Sequence, residues 1–321
     1  MKIIHTLPLI AFTLAACNKD DVIPAEVPTD GRRPITAQSS AYQNMVYDYT
    51  PAPGQFINNP KSGFTGEETS PASACAYALE RLTSKSHVSL GSFGGYIVVG
   101  FDHSIANNHS GYDFLIQGNA FNSNPGASNE PGIVWVMQDT NGNSIPDDIW
   151  YQLKGSEYDK STTLKNYSVT YFRPEGAEMA VMWRDSENNT GTVNYNGSQH
   201  SQPYYYPAWI AADSYTLTGT RLEARNEMDP TTGMWSNMSY DWGYADNMGS
   251  DVAMNPTGEG GMGQRNGFRI SNAVDAQGNS VNLEYIDFIK VQTGVLSQSG
   301  ILGEISTEVF SFIDNSLINR K

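Results

Sequence analysis

The run Gly94-Gly95-Tyr96-Ile97-Val98-Val99-Gly100-Phe101 constrains this chain more than any other segment. It is apolar without a break, short, and bounded by glycine, which is the pattern of a strand covered on both faces. Tyr112–Ile116 and Ile133–Met137 repeat the pattern between Gly, Asn and Pro punctuation. Tyr167–Tyr171 alternates with period two, as a half-exposed strand does. Further strand candidates are Ala180–Trp183, Ser214–Thr218, Phe268–Ile270, Leu283–Val291 and Thr307–Ile313. Against about ten strands stands one convincing helix, Pro71–Leu82, opened by Ser70 and Pro71. Many short strands with turn signals and one helix predict an all-β chain, a β-sandwich with a short N-terminal helical segment. No repeat of fixed period is present, which disfavours a propeller.

The N-terminus reads as an export signal. A single Lys2 precedes an apolar stretch, Ile3–Ala16, too short to span a bilayer as a mature helix. It ends in Leu14-Ala15-Ala16-Cys17, which resembles the lipobox of bacterial lipoproteins. That resemblance implies cleavage after Ala16, acylation of Cys17 and attachment to a membrane by the lipid alone. Asn18-Lys19-Asp20-Asp21 resembles the short export signal of Bacteroidota lipoproteins bound for the outer face of the outer membrane. The expected organisation is signal peptide 1–16, flexible tether 17–42, a small segment with one helix 43–85, and a β-sandwich ligand-binding domain 86–315.

Charge narrows the partners. A net charge of -15 would repel nucleic-acid phosphates and anionic lipid, so neither is expected to be a ligand. Once Cys17 is acylated, Cys75 is the one cysteine left, and no intramolecular disulfide is available. No histidine neighbours Cys75 in sequence, and it is expected to be an inert, buried thiol on the helix.

Two segments carry candidate chemistry. The loop Asp139–Asp148 spaces oxygen donors Asp139, Asn141, Asn143 and Asp147, with Ile145 offering a backbone carbonyl. Ca²⁺ takes six to eight hard oxygens, and this spacing curls them around one point. The run resembles the calcium loops of thrombospondin type 3 repeats and dockerins. Trp150 occupies the place where an EF-hand has its bidentate Glu, so Asp148 or a residue elsewhere must complete the set. The alternative is an Asx-rich turn with no metal. In either case its expected role is to brace the loop.

The segment from 200 to 265 holds His200, Tyr204, Tyr205, Tyr206, Trp209, Trp235, Met238, Tyr240, Trp242 and Tyr244. Six of the 11 methionines fall between Met228 and Met262, at neither helical nor strand period. Thioethers beside flat aromatics, with amides between them, suit a large flat amphipathic ligand. The bland alternative is a long loop packed over its own small cluster.

Catalysis finds little support, and no catalytic residue is expected. There is no Gly-x-Ser-x-Gly elbow and no His-Glu-x-x-His helix. His87, His103, His109 and His200 are scattered without ligand spacing. An acid pair such as Asp246 and Asp251 keeps a hydrolase conceivable, since sequence does not give their separation.

The segments Tyr49–Phe56, Gly94–Asp102, Gly111–Phe114, Glu130–Val134, Ile286–Gly294 and Gly303–Glu308 together resemble a family of Bacteroidota cell-surface lipoproteins with a jelly-roll-like sandwich. Members are often encoded beside a TonB-dependent transporter and a β-propeller lipoprotein in clusters that take up corrinoids. The resemblance implies a non-enzymatic surface protein that binds a corrinoid, of the vitamin B12 class, and hands it to an outer-membrane transporter. It assigns no binding residue. The competing expectations are a glycan-binding module of a polysaccharide-uptake system and a surface adhesin or scaffold.

Overall fold

A computed structural model describes residues 31–123, 126–254 and 264–318. Cys17, its signal peptide and Met262 lie outside the described residues. Strands make up 36% of the structure and helical turns 8%, in several antiparallel sheets with one α-helix. Among the described residues no helix is long and apolar enough to cross a membrane.

The largest sheet has six strands in the order Met45–Thr50, Tyr96–Ala106, Tyr285–Thr293, Gly132–Met137, Trp150–Leu153 and Ala273–Val274. Its central strands are the long apolar runs of the sequence, with 8 of the 11 residues of Tyr96–Ala106 and 8 of the 9 of Tyr285–Thr293 buried. A second sheet orders Val252–Met254, Gln264–Phe268, Phe114–Gln117 and Ser311–Asp314. Ile97, Val99 and Ile289 of the first sheet share one core cluster with Phe114, Ile116, Phe268 and Phe312 of the second. A third sheet, Thr190–Val193, Val181–Asp185, Leu164–Phe172 and Ser214–Arg221, covers its own cluster.

The helix Pro71–Thr83 starts where its capping chemistry dictates. Ser70 accepts the Ser73 N–H, Ser73 reciprocates on the Ser70 N–H, and Pro71 occupies the first turn. Its buried face, Ala74, Ala78 and Leu82, enters the main core beside Val46 and Tyr49 of the edge strand. Residues 43–85 therefore share a sheet and a core with the strands beyond residue 86. Cys75 is half-buried, and burial pushes its thiol pKa up.

The tether expected to run to residue 42 ends earlier. Arg33 donates to Asp287 through Nε (3.1 Å) and Nη2 (3.0 Å), and to the Phe101 carbonyl through Nη1 (2.8 Å). Asp287 sits where the pairing of Tyr96–Ala106 with Tyr285–Thr293 shifts register, which frees its carboxylate for these partners. Asp287 also accepts the Asp139 N–H at 2.8 Å, so one buried acid ties the segment at Arg33, a central strand and the Asx-rich loop together.

Candidate ligand-binding cleft

The aromatic segment does not form one platform. Tyr205 and Tyr206 lie in the cluster under the third sheet, and Trp209 belongs to the main core with its ring 5.5 Å from Tyr49. Tyr240 and Tyr244 pack edge to face at 5.5 Å in a third cluster with Ile133, Leu222 and Ile305. Each phenol is anchored to backbone: Tyr240 donates to the Glu223 carbonyl, and the Tyr244 hydroxyl accepts the Glu157 N–H. These five, expected to touch ligand, instead hold the loops between strands. The reason is the bland alternative: long connections over β-sheets need apolar anchors of their own.

The remaining aromatics face different directions. Trp242 lines a shallow cleft with Tyr112, Asp251 and Arg269. Tyr204 lies in a groove with Asn58 and Arg173, and Met238 is exposed but lines no cleft beside Trp235. Met254 is placed on a strand, and its side chain is not described.

His200 and Trp235 do come together, both lining a cleft of about 740 Å³. Trp235 begins the second strand of a short ribbon, Asn226–Met228 with Trp235–Asn237. Its indole lies against Gly300, where a Cβ would come within 2.2 Å of Nε1 and where φ is +54°. A side chain at residue 300 would push the ring out, so Gly300 is there for close approach. Phe121 and Met234 supply apolar faces on one side, Ile301 and Leu302 on another, and all four are exposed. Phe56 packs edge to face on His200 at 4.7 Å. Burial, then the charge of Lys61, lowers the His200 pKa, so the ring is neutral at pH 7. Asn119 and Gln199 bring amides to the rim, and the buried Asn237 accepts the Ser299 hydroxyl.

Acids that sequence reasoning did not connect form the floor. Glu130, Glu304 and Glu308 all line the cleft. Asp246 lies directly behind, fully buried, and one ligand atom from each of Glu130, Asp246 and Glu308 falls within 4.8 Å of the others. The isolated bridge Gly132↔Ala245 sets this up, since it places Glu130 and Asp246 side by side on paired segments. Asp246 and Asp251, the acid pair conceivable from sequence, do not meet in this way: Asp251 binds the Gly243 N–H and Asn266 instead.

Burial dominates the electrostatics. It raises Glu130 and Asp246 well above their ordinary values and Glu308 above its own, and repulsion from Glu308 adds to the rise at Glu130 and Asp246. Glu304 is pushed up to about 8 by burial, with the Gln55 N–H partly offsetting the shift. A carboxyl that keeps its proton at pH 7 donates a hydrogen bond; stripped of it, the same group calls for a cation.

The Asx-rich loop is laced by its own side chains. Asp139 accepts N–H groups from Gly142, Asn143 and Ser144, and Asn141 and Asn143 each donate a side-chain N–H to Asp147. Asp148 takes the Thr140 N–H and hydroxyl. Hydrogen bonds from Asn143 and Asn141 hold the Asp147 carboxyl below its ordinary pKa. The donors fit Ca²⁺ in kind, and each already serves the turn. Among the described residues, the three-carboxylate group that could share one ion lies elsewhere, at the cleft floor. Ile145 is exposed at the loop tip.

The chain matches no protein-family model, and no curated protein matches it.

Proposed function

We propose that this chain is a lipid-anchored surface protein that captures a corrinoid in the cleft around Trp235 and passes it to an outer-membrane transporter. The two sheets that share the main core are then the layers of a jelly-roll-like sandwich, and the cleft opens among the loops at its side. The cleft itself carries the reading. It combines an indole, a phenyl ring and a thioether with rim amides, in a volume suited to holding one face of a large ring. A corrin is such a ring, apolar on its faces and fringed with amides. The resemblance to corrinoid-uptake lipoproteins supplies the ligand class, and Ca²⁺ braces the loop 139–148.

Calorimetric titration with cyanocobalamin tests this. Binding is expected, and Trp235→Ala weakens it at least tenfold, about 1.4 kcal/mol. Trp242→Ala, in a separate cleft, leaves it unchanged. Silence toward cyanocobalamin, or equal loss in both variants, would sink the assignment. A glycan is the second reading, favoured by Trp235 as a stacking platform beside acids and amides; a panel of soluble glycans in the same titration decides it.

The anchor is separately testable. Cys17→Ala is expected to leave the protein unacylated and lost from the outer-membrane fraction. Intact cells whose protein resists added protease would place it on the inner leaflet and remove the capture role.

A further inference from the structure

We propose that Glu130, Asp246 and Glu308 form a binding site for a single hard divalent cation, Ca²⁺, at the floor of the cleft. The site is distinct from the Asx-rich loop and holds whichever organic ligand the cleft takes.

The geometry argues first. Oxygens bound to one Ca²⁺ at about 2.3–2.6 Å lie at most about 5 Å apart. One oxygen from each of the three carboxylates meets that limit, all within 4.8 Å of one another. All three donors are carboxylate, which selects Ca²⁺ or its hard relatives over softer metals. Asp246 is fixed before any ion arrives. Its Oδ1 accepts the N–H groups of Asn119 and Ala120 at 2.8 Å each, and its Oδ2 accepts the Glu308 N–H at 2.9 Å. Its backbone takes φ +54°, and a Cβ on Gly118 would reach 2.5 Å from Oδ1, so the fold is shaped to seat this acid here.

The second observation concerns what is missing around the acids. Glu308 is 3% exposed and lines the cleft; its carboxyl neighbours Glu130, Ser306, Ser89 and Asn119, yet its Oε1 has no hydrogen-bond partner. Glu304, also 3% exposed and on the same wall, leaves Oε2 without one. Buried carboxylate oxygens are costly to leave unsatisfied. Among the described residues no Lys, Arg or His is ion-paired to any of the four acids. Glu130 is half-buried, which leaves a path from solvent for the ion and room for water to complete its shell.

The test uses the metal alone, on the full mature chain stripped with chelator and free of organic ligand, so that its failure is separate from failure of the capture reading. Adding CaCl₂ at a hundredfold excess over Kd is expected to raise the melting temperature by about 5 °C. Glu308→Gln and Glu130→Gln each abolish that cleft contribution and lower the calorimetric stoichiometry by one ion. Asp147→Asn, in the exposed loop, leaves it intact. Unaltered Ca²⁺ stoichiometry in both glutamine variants would overturn the proposal, as would a wild-type protein that Ca²⁺ neither stabilises nor binds.

Discussion

Glu304→Gln raises the melting temperature of the chelated protein at pH 8 and leaves it nearly unchanged at pH 4. Glu304 is buried on the cleft wall, and burial lifts its pKa from 4.5 to about 8. The sign comes from proton linkage. A carboxyl whose folded pKa lies above its unfolded value contributes stability that is complete below the unfolded pKa. That contribution is lost as pH rises from 4.5 toward 8. Each pKa unit corresponds to about 1.4 kcal/mol, so the ionised form costs roughly 3–5 kcal/mol by pH 8. Glutamine keeps an oxygen to accept the Gln55 N–H, a bond of 2.7 Å in the wild type, and has no charge to desolvate. His103 works in the same direction. Asp102 and Asp314 flank its buried ring at 2.6 and 2.8 Å. Burial opposes the charged ring, but the hydrogen bonds it donates to both acids, with their negative charge, outweigh it and raise the pKa. Its contribution is therefore also complete in acid and lost as pH rises through the raised value. Thermal melts in chelator across this range check the prediction; a variant no more stable than wild type at pH 8 would mean that Glu304 is ionised and compensated.

Tyr244→Ala is expected to destabilise the fold by about 3–5 kcal/mol, the range for emptying a buried aromatic site. The ring is 2% exposed, packs on Tyr240, and its hydroxyl takes the Glu157 N–H at 2.9 Å. Truncation leaves a cavity and an orphaned donor together. Trp235→Ala costs far less, because its indole is half-buried against an open cleft. Denaturant titration separates the two roles. Equal losses in both variants would mean that Trp235 is a core residue, and its assignment to ligand would fall.

The contrast explains how much the sequence disclosed. The continuous run at 94–101 became a central strand because burial on both faces leaves no polar position to alternate with. The helix is legible from Ser70, Pro71 and its small buried face. The strands Trp150–Leu153 and Thr190–Val193 carry no comparable signal, being short and set among polar residues. A strand is expected at Phe268–Ile270, and pairing with Phe114–Gln117 moves it to Gln264–Phe268. The aromatic segment misleads for a physical reason: composition cannot tell a ring that anchors a loop from one that awaits a ligand. The acid cluster is illegible because Glu130, Asp246 and Glu308 lie far apart in sequence and meet only through the Gly132↔Ala245 bridge and the Glu308 N–H. The Glu130-Pro131-Gly132 run stands out in sequence as part of a strand, and nothing in it signals the place its carboxylate takes in the cleft.

Hydrogen exchange with and without saturating cyanocobalamin tests the central claim most directly, because it reports where a ligand sits. Capture in the cleft predicts slowed exchange in 119–130, 233–237 and 299–308, with the third sheet's 164–193 region unaffected. Protection confined to the Trp242 cleft or the Tyr204 groove, or none anywhere, would contradict it.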